Sequence, residues 1–221
     1  MTNQEILAHD DHTLLRPTST WEEIQDLCRE AIEHHTASVC IPPGYVKRVS
    51  DTYGNDLVIC TVIGFPLGYN TTSVKVFETQ QAIADGAREV DMVINLGDVK
   101  NGDFVSVTRE IEALKKAAGS HILKVIIETC YLTEKEKIIL CACVSEAGAD
   151  FIKTSTGFGT AGAKIEDIRL FKEHLEDGVK IKAAGGVKSR EDLEMFLEEG
   201  CERIGTSSAL KLLSGRENEG Y

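Results

Sequence analysis

The chain has 221 residues, of which 42% are hydrophobic, and this length favours one large α/β domain over two. Its formal net charge of -12 argues against broad contact with nucleic acid or anionic membranes, because both attract basic surfaces. No apolar run approaches the roughly 20 residues of a membrane span, and the start of the chain lacks the basic and apolar regions of a signal peptide. We therefore expect a cytoplasmic protein.

The seven cysteines are odd in number and dispersed along the chain. They lie mostly in apolar runs, which is typical of thiols packed in a core and not of a disulfide framework. No Cys/His cluster has the spacing of a zinc site, so we expect no metal. His9 and His12 are expected at the surface or at helix caps, and His34 and His35 end a predicted helix.

Apolar runs alternate with segments of helical periodicity along the chain. The first predicted helix begins at Thr20 in a Thr-x-x-Glu capping box, and a second continues to about Tyr53. Further helices are predicted at residues 72–85, 104–118, 133–147, 165–175, 189–199 and 209–213. Strands are predicted at residues 37–41, 57–63, 89–95, 122–128, 150–154, 179–184 and 203–206, and residues 8–11 would make an eighth.

The alternation of strands and helices predicts the fold. Near-continuous β-branched strands separated by helices indicate a parallel sheet that is covered on both faces. Eight such units predict a single-domain (β/α)8 TIM barrel over residues 1–213, followed by a polar tail at 214–221. A doubly wound sheet would need a Gly-x-Gly-x-x-Gly turn after an early strand, and the chain has none. In a barrel the active site lies at the C-terminal ends of the strands.

Five charged residues interrupt apolar strands, namely Asp11, Asp91, Lys124, Lys153 and Lys182. Each one alone is more often a structural ion pair than a catalyst. Inside a narrow barrel they would form a network in which like charge and desolvation push lysine toward its neutral form. A neutral amine attacks a carbonyl and forms a Schiff base, and Lys153 and Lys182 suit the roles of nucleophile and neighbouring cation. A carboxylate such as Asp91 can move protons through water, without a metal or organic cofactor.

Small polar residues follow the last two predicted strands. Gly185-Gly186 and Ser207-Ser208 offer backbone amides and hydroxyls, the second pair at the start of a short helix. Each pair alone is typical of a tight turn or a helix cap. Together, after the seventh and eighth strands, they predict a phosphate site. Thr154 and Gly157 can supply further donors.

Six segments, taken together, resemble the deoxyribose-phosphate aldolase family, and the similarity runs along almost the whole chain. The segments are residues 11–15, 61–66, 89–95, 123–129, 153–158 and 182–186. The resemblance implies a class I aldolase that reversibly cleaves 2-deoxy-D-ribose 5-phosphate into D-glyceraldehyde 3-phosphate and acetaldehyde. It also implies a (β/α)8 fold and a homodimer. In this family Lys153 would be the Schiff-base lysine, Lys182 the lysine that lowers its pKa, and Asp91 the proton donor and acceptor, with Lys124, Asp11 and Thr154 in support.

Two positions set this chain apart within the resemblance. Phe158 stands where some relatives carry lysine, so phosphate binding is expected to rely on backbone amides, hydroxyls and Lys188. Some family members end in a tyrosine that assists proton transfer, which adds Tyr221 as a candidate. A frayed tail is the alternative interpretation of Tyr221.

Two other functions remain open from the sequence. The first keeps the Schiff base but changes the substrate, as in transaldolase-like or other class I aldolase barrels. The second is a barrel that binds sugar phosphates as a sensor and keeps its lysines only as ion pairs. A panel of substrates separates the first alternative. The sequence disfavours the second, because nothing suggests an added interaction domain and the carboxylate expected to transfer protons is retained.

Overall fold

The structure, a computed structural model, describes residues 1–214 and contains eight parallel strands. They close into a barrel in chain order, with β1 paired to β8. The strands are β1 Asp10–Thr13, β2 Ser38–Ile41, β3 Ile59–Ile63, β4 Glu89–Val93, β5 Ile122–Ile126, β6 Phe151–Lys153, β7 Lys180–Ala184 and β8 Arg203–Thr206. The predicted single-domain (β/α)8 barrel is confirmed.

Helices surround the barrel and connect successive strands. They are α1 Asn3–Leu7, α2 Trp21–His34, α3 Val46–Tyr53, α4 Thr72–Ala84, α5 Leu96–Lys100, α6 Phe104–Ala118, α7 Glu134–Glu146, α8 Ile165–His174, α9 Arg190–Glu199 and α10 Ala209–Leu213. Short 3-10 helices cover Pro43–Tyr45 and Thr129–Tyr131. No helix within residues 1–214 has the length and apolar character needed to cross a bilayer.

Local sequence signals explain where the longer helices begin. Thr20, Thr133 and Ser189 each accept a hydrogen bond from the third residue of the following helix, whose side chain bonds back to the cap. These reciprocal bonds satisfy amide groups that have no partner inside the helix. The apolar faces of the helices then pack on the outer wall of the barrel, where strand residues such as Val90 and Val125 are fully buried.

The register of the strands brings the predicted polar residues together. Asp91 on β4 is paired with Lys124 on β5, and Lys153 on β6 is paired with Lys182 on β7. Asp11 on β1 lies beside β8 across the closure of the barrel. Alternate residues of a strand face the same side of the sheet. Paired residues on neighbouring strands therefore both face the barrel interior here.

Three short elements differ from the sequence-based expectation. Strand β1 covers residues 10–13 rather than 8–11, and helices α1 and α5 were not predicted. The two helices have five residues each, which gives little more than one turn of periodicity to detect. The strand reads DDHT, so its polar sequence lacks the apolar alternation that marks a strand.

The expected surface position of His12 is wrong. His12 faces outward from β1 and is covered by α2, so that only 2% of it is exposed. Its Nε2 lies 2.8 Å from Glu30 Oε2, and its Nδ1 lies 3.5 Å from Asp10 Oδ2. Burial works to lower the pKa of His12, but the interactions with both carboxylates, including the hydrogen bond with Glu30, outweigh burial and raise it to about 9.

Candidate active site

A cavity of about 600 Å³ opens at the C-terminal ends of the strands, between the loops that follow β6, β7, β8 and β1. This is the end of the barrel at which the fold class places its active sites. The ends of four strands and the loops that follow them line it: Thr13, Leu15, Arg16, Pro17, Lys153, Thr156, Gly157, Phe158, Ala184, Gly185, Gly186, Val187, Lys188, Gly205, Thr206, Ser207 and Ser208.

Gly157, Gly185, Gly186, Ser207 and Ser208 of the predicted phosphate site line this cavity, whereas Thr154 does not. Gly185 and Gly186 both have a positive φ, of 73° and 74°, a conformation that glycine adopts without strain. The loop after β6 packs directly on them, since a Cβ added at Gly162 would overlap the carbonyl carbon of Gly185. The small residues therefore let two loops close one side of the cavity.

The charge of the cavity wall contrasts with the charge of the whole chain. The described lining contains Arg16, Lys153 and Lys188 but no carboxylate, although the chain carries a formal charge of -12. Lys188 was expected here, whereas Arg16 was not, because its place after β1 carried no phosphate signal in the sequence. Such a local positive wall attracts an anionic ligand to an otherwise acidic protein.

Lys153 is the only one of the three predicted strand lysines that lines the cavity. It ends β6 and is 3% exposed. Its Nζ lies 2.8 Å from Asp91 Oδ2, and Lys182 Nζ lies 2.7 Å from the same oxygen. One carboxylate oxygen therefore bridges the amine at the cavity and a second, fully buried lysine.

Asp11 and Lys124 lie on the other side of this bridge. Lys182 Nζ is 2.5 Å from Asp11 Oδ2, and Lys124 Nζ is 3.0 Å from Asp91 Oδ1 and 3.4 Å from Asp11 Oδ2. Neither residue lines the cavity, and both are completely buried. The structure thus brings the five predicted charged residues into one network and separates Lys153 from the other four by its access to the cavity.

Two members of the network were missed from the sequence. Glu89, the first residue of β4, lies 2.5 Å from Lys124 Nζ. Arg203, the first residue of β8, contacts Glu89 at 2.9 Å and also bonds to Asp11. Glu89 stands two positions before Asp91, so the alternation of side chains places both on one face of β4, but Lys180 stands in the same relation to Lys182 and is exposed.

The charge state of the network corrects one expectation. Burial works to lower the pKa of Lys182, but the carboxylates of Asp11 and Asp91 outweigh it and raise the pKa above its usual range. The pKa of Lys124 is raised in the same way. The pKa of Asp91 is well below its usual range, because its three lysine neighbours outweigh burial. The carboxylates therefore hold Lys124 and Lys182 as cations, contrary to the idea that the network neutralises its lysines in general.

Two buried thiols touch the network. Cys60 Sγ lies 3.2 Å from Asp91 Oδ1 and 3.4 Å from Lys124 Nζ, and its pKa is raised by burial. Cys40, Cys60 and Asp91 bring ligand atoms within 4.8 Å of one another, as do Asp11, Cys60 and Glu89. These are the described groups with the donor types of a metal site, but their carboxylates already contact ammonium groups, which a metal ion would have to displace.

The loop after β6 is held in part by Thr154 and Glu128, neither of which lines the cavity. Thr154 exchanges hydrogen bonds with the backbone of Ala184, at 3.2 and 3.1 Å, so it ties β6 to β7 rather than facing the cavity. Glu128 is 3% exposed, has a φ of 53°, and accepts hydrogen bonds from the amide and hydroxyl of Thr156.

Phe158 packs edge-on against Phe65, with 5.4 Å between the ring centroids. Tyr221 lies outside the described residues.

Comparison with known proteins agrees with this geometry. The profile of the DeoC/LacD family of aldolases matches residues 5–217. The chain belongs to the DeoC/LacD aldolase family. It is 62% identical over the full length of both chains to the deoxyribose-phosphate aldolase of Clostridium botulinum strain Alaska E43 / Type E3. It is also 58% identical to the Clostridioides difficile strain 630 protein of the same name, over 98% of this chain and 99% of that one.

A solved structure of the family has the same fold. The deoxyribose phosphate aldolase of Aeropyrum pernix, described as a tetramer, superposes with a TM-score of 0.90 at 32% identity, covering 97% of this chain and 92% of that one. The resemblance stated from the six sequence segments is therefore confirmed. As a DeoC/LacD aldolase the chain is an enzyme of the lyase class.

Proposed function

We propose that this aldolase reversibly cleaves 2-deoxy-D-ribose 5-phosphate into D-glyceraldehyde 3-phosphate and acetaldehyde through a Schiff base on Lys153. The observation that carries the proposal is the position of Lys153 at the boundary of the cavity and the buried ion network. Its amine can reach a ligand in the cavity, while Asp91 links it to Lys182 below through a single oxygen.

The reaction begins with the open-chain sugar, whose C1 is an aldehyde. The neutral amine of Lys153 attacks C1, and loss of water leaves a protonated imine. A base then removes the proton of the C3 hydroxyl, and the bond between C2 and C3 breaks as its electrons move into the imine. D-glyceraldehyde 3-phosphate leaves, and an enamine of two carbons remains on Lys153.

The second half returns the enzyme to its starting state. The enamine takes a proton at C2, and water attacks the resulting imine to release acetaldehyde and the free amine of Lys153. Asp91 is the proposed proton donor and acceptor for these steps, working through water in the cavity. Lys182, bonded to the same oxygen as Lys153, is the proposed source of charge and protons behind it. Lys124 and Asp11 support this arrangement by fixing the other oxygens of the network.

The phosphate group is proposed to bind at the far side of the cavity. Gly157, Gly185, Gly186, Ser207 and Ser208 line that wall and offer amides and hydroxyls, and Arg16 and Lys188 add positive charge. Phe158 contributes no charge, and its ring is engaged with Phe65. We expect the ratio of rates for phosphorylated over unphosphorylated deoxyribose to fall in Lys188→Ala, whereas equal rates for both sugars in the unmodified enzyme would contradict this phosphate site.

Trapping of the covalent intermediate tests the proposed chemistry. The enzyme is incubated with acetaldehyde and borohydride, which reduces an imine to a stable ethyl-lysine, and the modified peptide is located by mass spectrometry. We expect the ethyl group on Lys153. Lys153→Arg keeps the positive charge but cannot form the imine, so it is the matched control and should remain unmodified. An ethyl group found only on other lysines would contradict the assignment of Lys153 as the Schiff-base residue.

We also propose that the chain forms a homo-oligomer, with a dimer as the smallest unit. Large apolar side chains are exposed on α4, on the loop before it and at the start of α6, which packs against α4: Leu67, Tyr69, Val74, Phe77 and Val105. An exposed apolar cluster of this kind is typical of a protein interface. Phe77→Glu should shift the mass measured by light scattering toward the monomer, whereas Met195→Glu on α9 should not. An unmodified chain that is monomeric at micromolar concentration would contradict the proposal.

A further inference from the structure

Two charged residues at the bottom of the barrel lie beneath the proposed catalytic residues. Arg203 and Glu89 are the first residues of β8 and β4, and both side chains point inward. The Arg203 guanidinium meets the Glu89 carboxylate through two hydrogen bonds of 2.9 and 3.1 Å. Such a paired geometry is strong and directional. The pair is therefore a fixed part of the barrel floor rather than a solvated surface contact.

This pair is connected to Lys153 through a continuous series of ion pairs. Arg203 bonds to Asp11, which lies 2.5 Å from Lys182 Nζ. Lys182 in turn shares Asp91 Oδ2 with Lys153. A change of charge at Arg203 is therefore transmitted to Lys153 through buried groups, where screening by solvent is weak.

Glu89 reaches the Asp91 carboxylate by a second route. Its Oε2 lies 2.5 Å from Lys124 Nζ, and Lys124 lies 3.0 Å from Asp91 Oδ1. The two routes meet at Asp91, one at each carboxylate oxygen. The charges of Arg203 and Glu89 thus act on the same carboxylate but with opposite sign.

The network contains one more cation than anions. Its three carboxylates are Asp11, Glu89 and Asp91, and its four basic groups are Lys124, Lys153, Lys182 and Arg203. A buried cluster with surplus charge is costly, and the cost is removed if one amine gives up its proton. With Lys153 neutral, the remaining charges balance.

Lys153 is the member that can give up its proton at least cost. It contacts one carboxylate, whereas Lys182 contacts two and Lys124 contacts three. Arginine does not lose its proton in proteins. Lys153 is also the one network lysine that lines the cavity, where water can carry the proton away.

We propose that Arg203 and Glu89 are positioning residues that set the charge balance of the network, so that Lys153 is its neutral member when the substrate arrives. The proposal rests on the proposed Schiff-base function. It gives a role in catalysis to two residues that do not reach the cavity. It predicts that removal of the Arg203 charge and removal of the Glu89 charge shift the pH dependence of the enzyme in opposite directions.

Other ionisable groups around Lys153 stay the same in the test. Asp91 on β4 and Lys182 on β7 flank its amine, Lys124 lies across Asp91, and Glu128 and Cys40 act on it from the end of β5 and from β2. None of these residues is replaced. A change in the pH profile therefore reports the charge at the barrel floor.

The experiment measures the rate of ethyl-lysine formation at Lys153, with acetaldehyde and cyanoborohydride, as a function of pH. Arg203→Gln removes a positive charge, so Lys153 holds its proton more tightly and the midpoint should move up by about 1 pH unit. Glu89→Gln removes a negative charge and should move the midpoint down by a similar amount. Arg203→Lys keeps the charge and should leave the midpoint in place.

A matched control separates this effect from a general loss of charge. Lys180 and Arg203 stand over the same Phe151 ring, at 5.8 and 5.9 Å from its centroid, but Lys180 is exposed and contacts no carboxylate of the network. Lys180→Met should leave the midpoint unchanged. The double variant Glu89→Gln/Arg203→Gln removes one charge of each sign and should return the midpoint to its original value, which also covers the case in which a single variant does not fold.

The outcomes distinguish this inference from the proposed function. Absence of any ethyl group on Lys153 in the unmodified enzyme would remove the Schiff-base proposal and with it this one. Normal trapping with midpoints that do not move, or that move in the same direction in both single variants, would overturn the role of Arg203 and Glu89 alone. Opposite shifts that cancel in the double variant are the expected result.

Discussion

Buried lysines occur in two very different regions of this molecule. Inside the barrel, Lys153 and Lys182 share one carboxylate oxygen near a cavity. Outside the barrel wall, Lys75 of α4 is fully buried between α4, α6 and β4, where its Nζ bonds to Glu110 at 2.9 Å and to the Val93 carbonyl at 2.8 Å. Both regions bury ammonium groups, yet only one has the geometry of an active site.

The difference lies in charge balance and access. Lys75 and Glu110 form a pair of equal and opposite charges, and burial is the largest influence on both, lowering the pKa of Lys75 and raising that of Glu110. The barrel network instead has four basic groups against three carboxylates and meets a cavity through Lys153. Burial alone makes a lysine a structural element. A surplus of basic groups beside a cavity is what the proposed Schiff-base role of Lys153 requires.

Removal of Lys182 should have the largest effect of the changes that test this comparison. Lys182→Met leaves three carboxylates facing fewer cations, so Lys153 keeps its proton at neutral pH and kcat/KM for deoxyribose 5-phosphate should fall by about 1,000-fold. Part of the activity should return as the pH is raised, and a pH–rate profile measures both effects. Lys180→Met, two residues earlier on the same strand, is the control. Unchanged turnover in Lys182→Met would refute the role of this cation.

Removal of Lys75 should affect stability and leave catalysis intact. Lys75→Met leaves the Glu110 carboxylate buried without its partner, which should lower the free energy of unfolding by about 3–5 kcal/mol. The kcat and KM of the folded variant should match those of the parent. The double variant Lys75→Met/Glu110→Leu should recover part of the loss in urea unfolding experiments, because no charge is then left unpaired. A loss of activity as large as that of Lys182→Met would erase the distinction between the two regions.

His12 extends the comparison to a third ion cluster, in which buried His12 and Asp10 meet the exposed Glu30. The pKa of His12 is raised from 6.5 to about 9 in the folded protein. Its protonation therefore stabilises the fold fully below pH 6.5, and this contribution is lost as the pH rises through about 9. The shift corresponds to at most about 3 kcal/mol. Urea unfolding at pH 6 and pH 9.5 should show a smaller difference for His12→Gln than for the parent, and equal differences would contradict the assignment.

Gly205→Ala should have the smallest effect of these substitutions, because it changes no charge. A Cβ added at Gly205 would lie 2.9 Å from Lys182 Cε and 3.3 Å from the Ala184 side chain. Gly205→Ala should displace the Lys182 ammonium from Asp91 and lower kcat by about 10-fold, whereas the thermal midpoint should change little, since only the end of a side chain must move. Gly44→Ala, where an added Cβ meets nothing within 4 Å, is the control. A fall in stability without a fall in kcat would show that Lys182 keeps its position.

Much of this organisation was predictable from the sequence, and the reason is local. Buried parallel strands leave long apolar runs, and a charged residue within such a run stands out, as Asp91, Lys124, Lys153 and Lys182 do. The fold and the meeting of these residues followed from strand order alone. Strand β1 was placed two residues early, because its sequence is polar and carries no apolar pattern.

Charged residues at the start of a strand could not be assigned in the same way. Glu89, Lys180 and Arg203 each begin a strand and each stand two positions before an inward-facing residue. Glu89 is buried in the network, Arg203 is largely covered, and Lys180 is exposed. The alternation of side chains is identical in all three, so only the packing of the barrel floor separates a network member from a surface lysine.

The pairing of β1 with β8 links closure of the barrel to the proposed catalytic network. These strands are the two ends of the barrel in sequence, and Asp11 meets Arg203 across 192 residues of chain. Asp11 is also a partner of Lys182, so a barrel that is open along this seam has lost one contact of the proposed catalytic network even if every other strand pair is intact. Under the proposed mechanism, catalytic activity therefore measures the fraction of molecules whose barrel is closed. Helix content and the fluorescence of Trp21 measure only the fraction whose helices are folded.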